Sequence, residues 1–189
     1  MNKHIFLFAV SISAAACVKA APGTRPHDNS AAGHRREAGQ HQTEADHTLQ
    51  SRGSKAYYQQ VYHHKQLAAA HLRAAEKLDA DFERQCDGKT PDASVVWGQI
   101  QDTDTVEGGA VLHLTPEVGT AKEVLAKLRC QRAAVARDGF AAFPDDPLAL
   151  DGLDIIVHDE PGGIAVMFGV DGGDAVIDLQ RRIDVIAAK

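Results

Sequence analysis

The stretch GGAVLHLTPEVGTAKEVLAKLRC, Gly108–Cys130, decides how this chain folds. It opens on a glycine pair, runs through a short apolar segment that reads as a strand, and then changes period. From Thr120 onward Ala121, Val124, Leu125, Leu128 and Val135 recur at helical spacing. Thr120 and Glu123 stand three residues apart, the capping-box arrangement that satisfies free N–H groups at a helix start. Asp138-Gly139-Phe140 ends that helix. The segment therefore predicts a strand followed by an amphipathic helix.

Working outward, the same order recurs. LDIIVH (Leu153–His158), a tight DEPGG turn and IAVMFGV (Ile164–Val170) read as a hairpin, followed by a helix starting at Asp174. That helix carries Val176, Leu179, Ile183 and Ile186 as its apolar stripe. Gly109 and Gly163 are 54 residues apart, and so are the two helix starts, Thr120 and Asp174. With SVVWGQIQ (Ser94–Gln101) as the strand before the first glycine pair, residues 92–189 form two ββα units. Such units predict an α+β domain: a four-stranded antiparallel sheet with two helices on one face.

Upstream, residues 55–88 predict one long amphipathic helix. Val61, Ala68, Ala75 and Phe82 repeat every seventh residue, with Leu72 and Leu78 beside them, and Asp87-Gly88 supplies the stop. This long N-terminal helix packs on the two-layer domain. On the domain's first helix Cys130 points away from the main apolar stripe, among Ala126, Ala133 and Ala134. A face of small residues admits a second helix closely, and the alanine-rich helix ending at Cys86 fits it. A Cys86–Cys130 disulfide would pin the two together and contribute on the order of 3–4 kcal/mol by loop-closure entropy.

The compartment supports that pairing. Lys3, the apolar run IFLFAVSIS and the small residues before Cys17 make residues 1–16 a signal peptide. A cysteine after small residues resembles a bacterial lipobox. The resemblance implies lipidation at Cys17 and, with Val18 next, an outer-membrane lipoprotein facing the periplasm; without lipidation the chain is periplasmic. Export to an oxidising compartment makes one disulfide the default for the two remaining cysteines. Residues 17–54 then read as lipid attachment and a disordered tether, since they carry almost no large apolar residues. His27, His34 and His41 recur every seventh residue there, followed by His47, but Pro26, Gly33 and Gly39 argue against a helix. Only weak, adventitious metal affinity is expected of them.

Charge narrows the partners. Residues 90–189 hold 8 Lys and Arg against 17 Asp and Glu, and residues 18–89 hold 11 against 9. An acidic folded domain excludes nucleic acid as a partner, because phosphates need Lys and Arg to neutralise them. The membrane, through the lipid anchor, and a protein of unknown kind remain.

The candidate chemistry is sparse. His64 and His71 share a helix face but lie about 10.5 Å apart along the axis, too far to hold one ion by themselves; ligands from elsewhere would have to join them. His63 faces solvent. His113 and His158 sit on strands, and His158 is followed by Asp159 and Glu160, which would orient an imidazole as a base. No nucleophile stands with a recognisable partner set. DTDTVEGG from Asp102 lacks the third acid of a calcium loop, and the glycine pairs lack the rest of a phosphate loop.

HHKQLAAAHLRAAEKLDADFERQC, GGAVLHLTPEVGTAKEVLAKLRCQRA and DDPLALDGLDIIV together resemble a group of small, uncharacterised exported proteins and lipoproteins of Gram-negative bacteria. The resemblance implies a His-bearing helix ending in Cys, a Cys-His pair on the middle helix, and a Cys-Pro-Leu before the next strand. His64, His71, Cys86 and Cys130 match. Gln131 stands where the paired His would be, and Asp146 replaces the Cys before Pro147-Leu148. The sequence thus predicts a binding or structural module without catalytic activity and without a cofactor. The alternative is a transition-metal or haem protein using His64, His71 and His113.

Overall fold

The computed structural model describes residues 28–50 and 55–188. The signal segment, Cys17 and His27 lie outside the described residues. The elements are α1 (Ala31–Gln50), α2 (Lys55–Cys86), α3 (Ser94–Trp97), β1 (Ile100–Val106), β2 (Gly109–Leu114), α4 (Ala121–Asp138), β3 (Asp154–Glu160), β4 (Gly163–Gly169) and α5 (Gly173–Ala187). The class is α+β, as expected. The four strands lie in the order β1-β2-β4-β3, and every neighbour is antiparallel.

The two ββα units are real and their symmetry is close. Strands β1 and β3 have the same length and start 54 residues apart. At the centre, Leu112 of β2 pairs with Val166 of β4, its own counterpart 54 residues on. The β2–β4 ladder therefore relates the units by an approximate twofold axis through the sheet. The second glycine of each pair has the same reason to be there. A Cβ on Gly109 would stand 1.8 Å from the carbonyl oxygen of Phe168, and one on Gly163 2.0 Å from that of Leu114. Phe168 and Leu114 are themselves counterparts, so each unit makes room for the other's backbone.

Two boundaries differ from the expectation. Ser94–Trp97 is a helical turn that buries Val96, and the first strand is the polar run IQDTDTV. As an edge strand, β1 needs neither a continuous apolar sequence nor a buried outer side. The last helix is capped by Gly172, with Asp174 inside its first turn, where a carboxylate favours the positive helix end. The capping box on α4 is present: Thr120 N donates to Glu123 Oε2 at 2.9 Å, and Glu123 N to Thr120 Oγ1 at 3.3 Å.

Inward-facing Leu112, Leu114, Ile164, Val166 and Phe168 meet Val124 and Leu128 of α4 and Leu179, Ile183 and Ile186 of α5 in one core. Burying each such side chain contributes about 1.5–3 kcal/mol. The alternate residues of the strands, including Val111, His113, Ile156 and Met167, form the sheet's other face, where Ile156 remains 58% exposed.

The disulfide joins Cys86 at the end of α2 to Cys130 of α4, with Cα atoms 4.6 Å apart. It sits on the alanine face of α4, where Ala133 and Ala134 are buried. The Arg137 guanidinium stacks over the Phe82 ring at 3.7 Å and closes the same contact. For a sequence separation of 44, loop closure contributes about 4 kcal/mol in the chain-entropy account.

The tether is where the structure departs most from expectation. Residues 31–50 are a helix that packs back along α2 as an antiparallel hairpin. Its buried stripe is Ala31, Ala38 and Ala45, set against Val61, Ala68 and Ala75 of α2. Small side chains let the two backbones approach, so the helix needs no large apolar residue. Of the supposed breakers, Pro26 lies outside the described residues and the two glycines are accommodated in the helix. Gly33 lies in the first turn, where a Cβ would stand 1.9 Å from the Asp28 carbonyl oxygen. Ser30, fully buried, caps that turn by accepting from Gly33 N at 3.0 Å. Gly39 is exposed and costs about 1 kcal/mol relative to alanine. Among the described residues no helix is long and apolar enough to cross a membrane.

Candidate metal centre

The hairpin brings together histidines that the sequence keeps far apart. On α1, two four-residue runs of the form His-x-x-Glu, HRRE (His34–Glu37) and HQTE (His41–Glu44), are offset by one heptad. On α2, His64 and His71 are offset by the same heptad. Because the helices are antiparallel, His41 meets His64 and His34 meets His71. The rings form a column, with centroids 5.3 Å apart for His34–His71, 5.6 Å for His71–His41 and 5.5 Å for His41–His64. The alanine stripe beside the column sets this spacing.

One set converges on a single point. His41 Nδ1 and His64 Nδ1 are 3.3 Å apart, and Glu44 Oε2 lies 3.0 Å from the first and 2.9 Å from the second. Ligands about 2.0–2.1 Å from a tetrahedral Zn²⁺ are separated by roughly 3.3 Å, so the triangle has nearly the edges of one coordination face. His41 and His64 are about a quarter exposed, which leaves the outer side open to water. Two imidazoles and a carboxylate suit borderline divalent ions such as Zn²⁺, Ni²⁺ or Cu²⁺.

The other set is arranged differently. His34 Nδ1 and His71 Nδ1 are 3.0 Å apart, while Glu37 Oε2 faces the far nitrogen of His71, Nε2, at 3.2 Å. Beside this set two arginines are paired: Arg35 with Asp79 of α2, and Arg36 with Asp28.

The expected metal trio is only partly assembled. His64 and His71 each gain a histidine partner from α1, so neither has to reach the other. His113 stands instead on the open face of the sheet. Its Nδ1 contacts Glu160 at 2.8 Å and its Nε2 contacts Asp104 at 3.1 Å. The bond to Glu160, and then that to Asp104, hold the imidazole's pKa above its usual value against the opposing effect of burial. His158 is exposed on the same face, across Ala165 from His113. Its proposed helpers are engaged elsewhere: Asp159 accepts from Ala121 N at the start of α4, and Glu160 faces His113. His63 is exposed, as expected.

Sequence reading gives His34 and His41 no more than adventitious metal affinity and passes over Glu37 and Glu44. The signal was present: a doubled His-x-x-Glu at heptad spacing, matched by a His-to-His heptad on the next helix. Gln131 and Asp146, where the chain departs from the resembled group, lie together. Gln131 hydrogen-bonds the Asp146 carboxyl, whose pKa burial nonetheless raises. Asp146 also accepts from Leu148 N at 2.9 Å. No protein-family model, curated protein or solved structure matches the chain.

Proposed function

We propose that the protein is an exported metal-binding module. Its helical hairpin holds a divalent transition-metal ion between His41, Glu44 and His64, and its α+β domain is the support to which the hairpin is riveted. The observation that carries this reading is the triangle of ligand atoms, 2.9–3.3 Å on each side. Two imidazole nitrogens 3.3 Å apart are spaced to share one cation, and Glu44 supplies the negative charge that a divalent ion needs. Ring centroids 5.3–5.6 Å apart favour a bare ion over haem, because a macrocycle would have to force the column open.

The signal-like N-terminus and Cys17 support a periplasm-facing protein tethered to the outer membrane by lipid. The module binds and presents its ion; no catalytic role is assigned. Isothermal titration of untagged protein with Zn²⁺, together with elemental analysis of the protein as purified, tests the reading. Binding at micromolar or tighter affinity, abolished in His64→Ala, is the expected result. Equal binding by wild type and His64→Ala would refute it.

A further inference from the structure

Resting on that reading, we infer that the hairpin carries a second metal position one heptad along the seam, formed by Nδ1 of His34 and Nδ1 of His71, with Glu37 as the positioning residue. The two imidazole nitrogens are already 3.0 Å apart. A contact that short between two ring nitrogens holds at most one proton, so at least one lone pair points inward. Glu37 decides which. Its carboxylate lies 3.2 Å from His71 Nε2, and accepting the N–H there leaves Nδ1 of neutral His71 as the bare nitrogen. A carboxylate behind an imidazole fixes the tautomer and raises the basicity of the coordinating nitrogen.

The two positions therefore differ in kind. At His41, Glu44 and His64 the carboxylate belongs to the converging ligand set. At His34 and His71 it stands behind the ring, and water completes the coordination. The first position, with three protein ligands and a negative charge among them, fills first; the second is weaker. The His71 ring lies against His41 at 5.6 Å, so the two ions share one continuous column. Arg35 and Arg36 flank His34 in sequence, yet each is paired with an aspartate and does not leave an uncompensated cation there.

The test is Zn²⁺ stoichiometry of the full mature protein, measured by titration against a chromophoric chelator with elemental analysis after gel filtration. Wild type should bind two ions with separable affinities. His34→Ala and the size-preserving His34→Gln should each bind one, leaving the tighter site unchanged. Glu37→Gln should keep both but weaken the second alone by roughly 10–100-fold. A helical circular-dichroism signal equal to wild type checks that each variant keeps its hairpin. A single ion in wild type, retained in His34→Ala and lost in His64→Ala, overturns the second position and leaves the first standing. Two ions retained in both His34 variants also overturn it. No ion in wild type removes both.

Discussion

The hairpin and the sheet domain are held together by opposite means. The domain buries Leu, Ile, Val and Phe between a sheet and two helices, and its core residues are almost completely enclosed. The hairpin buries alanines, and beside them places histidines and glutamates that remain a fifth to a half exposed. Alanine brings the helices close without supplying much transfer free energy. The hairpin is thus a scaffold whose geometry is set by small residues, with the Arg35–Asp79 ion pair crossing between its helices and the disulfide fastening its second helix to the domain.

The contrast can be broken from either side. Leu128 of α4 is fully buried in the domain core, and Leu128→Ala should cost about 2–5 kcal/mol. Urea unfolding followed through Trp97 fluorescence measures it. A loss under about 1 kcal/mol would mean that the core is not what holds the domain. On the other side, Ala38→Leu inserts bulk where α1 meets α2 and should cost about 1–3 kcal/mol. The loss should fall on the hairpin: helical signal and metal binding decline while the Trp97 midpoint stays in place. A shared, shifted midpoint would show the two parts to be one cooperative unit instead.

The smallest effect concerns His113. Its imidazole is charged more readily in the folded state, through Glu160 first and Asp104 second. A raised folded pKa makes the stabilisation complete below the unfolded value and removes it as pH rises through the folded one. The stability difference between wild type and His113→Gln should therefore be greatest below the ordinary histidine value of about 6.5 and shrink as pH rises from there through the higher folded value. A difference that does not change with pH would remove this ion triad as a source of stability.

Most of the domain was legible because its elements follow local rules: a capping box, two glycine-opened strands and apolar stripes of matching period. The disulfide was legible for a similar reason, since a cysteine among alanines on a helix's far side needs a close partner. The helix α1 was not. Its periodic residue is alanine, which occurs throughout that segment and carries little apolar signal, and its glycines read as breakers until Asp28 is seen packed against Gly33. The site suffered with it. His64 and His71 lie one heptad apart on α2, and their histidine partners lie on α1, in the segment that reads as a tether. His113 was grouped with them on residue type alone, although strand alternation already put it on the sheet's uncovered face.

The near-twofold relation between the ββα units has a consequence for how the molecule is oriented. Either unit by itself would offer two strands and one helix, with an open sheet edge and an uncovered apolar face; three or more strands, or packing against a helix, are what make a small sheet independently stable. The domain is in effect a dimer written on one chain, each half serving as the other's missing neighbour. The rivet breaks that equivalence. Cys130 holds the hairpin to the first half, whereas the residue 54 positions further on, in α5, is Asp184. A body with two like ends is thereby given a handle at one of them, and so a direction.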